Sequence, residues 1–148
     1  MAHCLAACGC DDGETITKTD LDRFTDTIEN VLNDEKGRRH FRNFMLNCKM
    51  RDGRRALDFW EHTERLLNYN ERTADTSSRS FVADVDKLID EAERIDDLDF
   101  AVVERLTIAR DSENISAIQE QLKSVKMEVT KSLRREYNRY RKHFVPSK

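Results

Sequence analysis

The sequence predicts an all-α fold: one helical bundle domain over residues 18–148, behind a disordered tail over residues 1–17. Three observations predict it. Charged residues make up 37% of the chain and hydrophobic ones 38%, with one proline and four glycines among 148 residues. Turn residues and β-branched runs that sheets need are therefore scarce. Apolar residues recur three or four apart along most of the chain, the signature of an amphipathic helix. Finally, 148 residues suffice for one domain with a sizeable core.

Residues 1–17 are rich in small and polar side chains. Thr17, Thr19 and Asp20 are N-cap candidates. Leu21, Phe24, Ile28, Val31 and Leu32 follow at helical spacing, with Gly37 as the expected stop. A second helix should carry Phe41, Phe44, Met45 and Cys48 on one face, with Cys48 in the core and Asp52-Gly53 as the next turn. A third should bury Leu57, Trp60 and Leu67, flanked by Ala56 and Phe59, and fade near Asn68 to Asn70. The polar run ERTADTSSRS reads as a loop.

Phe81, Val85, Leu88, Ala92 and Ile95 outline a fourth helix, whose other face carries Asp84, Asp86, Asp90, Glu91 and Glu93. That acidic face reads as a solubilising surface, with internal pairing to the basic elements or a patch for a basic partner as the alternatives. Asp96-Asp97 interrupts the pattern, and Leu98, Ala101, Val102, Leu106 and Ala109 outline a fifth. From Ile115 to Phe144 the stripe runs through Ile118, Leu122, Val125, Val129, Leu133, Tyr137 and Tyr140. It suits one long helix or two nearly collinear ones. Its mixture of aromatic and β-branched residues favours an internal core face over a coiled-coil seam, hence a monomer.

The formal net charge of −3 excludes a wholesale nucleic-acid binder, and there is no base-stacking motif. The basic residues of the last stripe, from Lys123 to Lys142, could meet an anionic membrane surface peripherally. No apolar run reaches the length of a membrane span. Cys4, Cys8 and Cys10 crowd near the start, a spacing poor for a disulfide framework, which points to a reducing, cytoplasmic compartment. With His3 they match no closed zinc site, so neither metal nor cofactor is expected. S-acylation of Cys4, Cys8 or Cys10 is the alternative to an unmodified tail, which would leave the protein membrane-associated. His40, His62 and His143 form no triad with Cys48, and no catalytic residue is expected.

The run LDRFTDTIENVLNDEKGRRHFRNFM carries Phe24, Ile28, Glu29, Asn30, Gly37, Phe41, Phe44 and Met45, and Leu57-Asp58-Phe59-Trp60 follows. Together with Asp97-Leu98-Asp99 and the closing Tyr140, Phe144 and Ser147, this pattern resembles a regulator-of-G-protein-signalling (RGS) homology domain. The resemblance implies a protein that brings no catalytic group of its own. It clamps the switch loops of a heterotrimeric G-protein α subunit (Gα), which supplies the Arg and Gln of GTP hydrolysis. It implies contact through the corner at Arg54, Arg55 and Ala56 and through the loop at Asp97 and Asp99. In this chain the corner is basic, with Lys49, Arg51, Arg54 and Arg55, and Asp97 stands where the family has asparagine. A carboxylate accepts hydrogen bonds and donates none. The longer corner is closer to RGS-homology domains that bind partners, so the alternative is a non-catalytic adaptor or scaffold for another protein. One aromatic hub of Phe41, Phe44, Phe59 and Trp60 is expected.

Overall fold

The computed structural model describes residues 16–70 and 78–145. Among them are eight α-helices and no strand: α1 (Lys18–Phe24), α2 (Ile28–Leu32), α3 (Glu35–Asn47), α4 (Arg51–Leu67), α5 (Ser78–Ala92), α6 (Phe100–Ser112), α7 (Ile115–Ser132) and α8 (Arg134–Phe144). The all-α expectation holds. Ile16 and Thr17 apart, the expected tail lies outside the described residues, as do Cys4, Cys8, Cys10 and Ser147.

The chain divides into two compact units. The first takes the chain up to Arg54 and again from Leu133; the second is Arg55–Ser132. In the first, the expected opening helix is two, α1 and α2, and the expected second helix starts early, as α3. Thr17 caps α1 with a capping box, its hydroxyl accepting from the Asp20 N–H while Asp20 accepts from the Thr17 N–H. Thr27 then caps α2 and Asp34 caps α3. Two short polar hinges thus outweigh a continuous apolar stripe, because each cap satisfies helix N–H groups that would otherwise stay unpaired. Gly37 is no stop. It sits in the first turn of α3, where its N–H reaches Asp34 Oδ1 at 3.1 Å.

Asp52-Gly53 is likewise inside α4, and the turn falls earlier. Lys49 adopts φ 59°, while its N–H bonds to Leu46 O at 3.2 Å and the Met50 N–H to Met45 O at 2.8 Å. This paired closure with a left-handed residue is a Schellman motif, and it ends α3 without a glycine. Cys48 is the C-cap of α3; it is half-buried and disulfide-bonded, not a core thiol. The bond overturns the expectation of a chain with only free thiols.

The interior of the first unit is aromatic. Phe41 lies 5.2 Å from Tyr140 and 6.2 Å from Tyr137, and Phe44 lies 5.5 Å from Tyr140 and 6.0 Å from Phe144, centroid to centroid. Residues 137, 140 and 144 share one face of α8 and supply ring partners of Phe41 and Phe44 that the expected hub did not include; Phe59 and Trp60 belong to the second unit. Such ring pairs contribute beyond the area they bury. Polar tips are satisfied too: the Tyr137 hydroxyl donates to Phe24 O at 2.8 Å, and Tyr140 pairs with His40 Nδ1 at 2.8 Å.

Burial pushes the Tyr137 hydroxyl up from 10.0 to about 12 and Tyr140 higher still. A raised folded-state value means the neutral phenol is favoured by folding. This stabilisation is complete below about pH 10 and is lost as pH rises through 12. Alkaline titration followed by phenolate absorbance should show Tyr137 and Tyr140 ionising late, together with loss of helix. Ionisation of all three tyrosines near pH 10 in a chain still fully helical would refute the burial of α8.

In the second unit, α5, α6 and α7 pack in sequence. Trp60 Nε1 donates to Thr130 Oγ1 at 3.2 Å, and Lys126 lies 5.3 Å from its ring while pairing with Glu64 at 2.6 Å. Leu66 rather than Leu67 is the buried leucine at the end of α4. Gln119 donates to the last carbonyls there, Leu66 O and Tyr69 O. The acidic face of α5 is partly engaged internally: Arg110 of α6 holds Asp86 with two bonds of 2.5 and 2.9 Å, which keeps that carboxyl below its usual range. The last apolar stripe forms two helices, α7 and α8, with a break at Leu133.

Candidate functional site

The connection from α5 to α6 is a chain of tight turns. The Arg94 N–H bonds to Glu91 O, Ile95 to Ala92 O, and Leu98 to Ile95 O, at 3.0, 3.1 and 3.2 Å. Ile95 and Leu98 are buried plugs. Anchored at these two points, the backbone pushes Asp96, Asp97 and Asp99 outward, and all three are exposed. Asp99 also caps α6, its Oδ1 accepting from the Ala101 N–H at 3.0 Å. One of the two predicted contact carboxylates therefore has a structural task as well.

Phe100, the first residue of α6, is 76% exposed. It lies off the apolar stripe of residues 98, 101, 102 and 106, so helical periodicity passes over it. The signal that could have found it is its chemistry: a phenylalanine directly after an Asp-Leu-Asp turn with no place on the core face. A groove of about 530 Å³ runs beside it, with Ile89, Ala92, Leu98 and Val103 among its walls. Its exposed acids are Glu93, Asp96 and Glu104. An apolar trough with an acidic margin suits a segment that is apolar on one side and basic on the other.

The predicted corner contacts are spread over the start of α4. Arg55 is exposed and belongs to the second unit with Asp97 and Asp99. Arg54 is half-buried, and its Nε is buried without a hydrogen-bond partner among the described residues. Ala56 is 4% exposed, so its methyl is part of the core and cannot touch a partner. Arg51, Arg54 and Arg55 occupy the opening of α4, the positive end of the helix dipole, where cations are disfavoured by about 0.3–1 kcal/mol. Stability alone does not account for that placement.

Among the described residues, no three His, Cys, Asp or Glu side chains converge as a metal site requires. None of the described helices is long and apolar enough to cross a membrane. Several cations of the last two helices are engaged within their own unit: Lys126 with Glu64, Arg134 with Glu29 at 3.4 Å, and Arg141 with Thr25 O at 2.6 Å. Compared with family models, curated proteins and solved structures, the chain matches none.

Proposed function

We propose that the chain is a monomeric partner-binding protein of the RGS-homology type, which docks on a Gα subunit and shortens its GTP-bound state. The observation that carries this reading is the Asp97-Leu98-Asp99 turn. It is exposed at its carboxylates and pinned by Leu98, and it stands between two helices where the resemblance places a switch-contacting loop. Such a turn needs no nucleophile or base. Held at two buried points, it restrains a partner's mobile loop near the geometry of the transition state, and the entropy is lost on docking rather than during reaction. Phe100 supplies an apolar anchor beside it.

The test is binding to a Gα panel loaded with GDP, with a GTP analogue, and with GDP plus aluminium fluoride, alongside single-turnover hydrolysis. Tightest binding to the fluoride state with faster hydrolysis is the expected result. No preference for any nucleotide state and no acceleration would remove the Gα reading. Asp97→Asn restores an amide that both donates and accepts. It should raise the hydrolysis rate several-fold, and unchanged or lower activity would show that this turn is not the contact loop.

The groove beside Phe100 favours a second reading, a non-catalytic adaptor. Its acidic margin fits a basic amphipathic segment regardless of nucleotide. Phe100→Ala then weakens capture of such a segment while leaving GTP turnover by Gα untouched.

A further inference from the structure

Along α4, Arg55, Asp58, His62 and Arg65 recur at three- and four-residue intervals and so share one face. Across from them, Glu91 comes from the last turn of α5 and Arg94 from the turn that follows it. These side chains line a groove of about 330 Å³ floored by Phe59 and Ile95, both buried. All of it lies within the second unit. The volume falls at the small end of ligand sites, roughly 300–1,000 Å³.

Arg23, Arg110 and Arg134 each sit against a carboxylate. By contrast, none of Arg55, Arg65 and Arg94 has an ion pair within 4.0 Å among the described residues. Glu91 is engaged by His62 Nδ1 at 3.2 Å. Among the described residues, three guanidinium groups thus line one hollow with no ion pair of their own, beside the carboxylates of Asp58 and Glu91. Like charges so placed repel, and an entering anion converts that repulsion into attraction. The planar fork of each guanidinium matches the oxygens of a phosphoryl group in particular.

We propose that this groove binds a phosphoryl dianion carried by a small soluble ligand or by one phosphorylated side chain. The hollow shape favours this over a bilayer. A flat anionic surface would meet the rim arginines but also face Asp58 and Glu91, whereas a single phosphate can enter between the cations. The inference does not rest on Gα binding, since the groove and the Asp97 turn are probed with different ligands. Arg55 gains a task here that the corner reading did not give it.

Calorimetric or NMR titration of the full chain with inorganic phosphate and with O-phosphoserine provides the test. Saturable binding by the wild type is expected. Arg65→Gln and Arg94→Gln should each weaken it about tenfold. Both side chains are exposed, so the fold should survive, as an unchanged melting curve would show. Glu91→Gln should tighten binding by removing one of the two negative charges that line the groove. Lys87→Gln, an exposed cation outside the groove, should leave it unaltered. Absence of saturation, equal affinity in the arginine variants, or a response only to phosphatidylserine vesicles would overturn the proposal.

Discussion

Phe41→Ala is expected to destabilise the first unit by about 3–5 kcal/mol, the range for deleting a fully buried aromatic ring. Phe41 has no exposed surface, and its ring meets both Tyr137 and Tyr140 edge-on. Truncation removes the ring's transfer energy and leaves a hollow that α8 can close only by moving. Leu46→Ala on the same helix is the control. Leu46 is 51% exposed, so its loss should change stability by no more than about 0.5 kcal/mol. Chemical denaturation can follow the two units apart, because Trp60, the only tryptophan, reports on the second while Tyr137 and Tyr140 report on the first. A Phe41→Ala midpoint equal to that of Leu46→Ala would mean that α3 does not pack on α8.

Gly37→Ala should cost about 1–3 kcal/mol, although alanine is intrinsically the better helix former by about 1 kcal/mol. A methyl group at Gly37 would stand 2.8 Å from Val31 O and 3.1 Å from Val31 Cα. Both are backbone atoms of α2 and cannot rotate away. The third neighbour, Phe24 Cε1 at 3.0 Å, is itself locked in the core. Gly53→Ala offers the contrast. There the methyl would meet Met45 Sδ at 2.6 Å and Glu136 Cγ at 2.7 Å, side-chain rather than backbone atoms, but of two residues that are themselves buried. Its effect should be destabilising but smaller than that of Gly37→Ala, and thermal melts of the pair decide the matter. A stabilised Gly37→Ala would show that α2 and α3 are not in close contact.

These two glycines mark the boundary of what the residues disclose in linear order. Periodicity placed α5 and α6 and the buried faces at Phe41, Phe44, Val85 and Leu106, because one helix face turned to a core leaves a local trace. It misread Gly37 and Gly53, since a glycine needed for close approach looks in sequence like one that ends a helix. It also missed that Phe41 and Phe44 have ring partners about a hundred positions later, in the stretch that pairs His40 with Tyr140, because periodicity contains no information about pairing over that distance. At the candidate site, the Asp-Leu-Asp turn was legible as a break between apolar stripes. Phe100 and the three converging arginines were not. An off-stripe side chain gains meaning only when a second helix is laid against it.

The discontinuous make-up of the first unit has a consequence during synthesis. Phe24 and Tyr137, joined by a hydrogen bond, are 113 residues apart. At roughly 5–20 residues per second, the opening helices leave the ribosome some 5–20 s before their aromatic counterpart exists. The intervening helices can settle in that interval, while Phe41 and Phe44 remain bare to whatever holdase or neighbouring nascent chain is nearby.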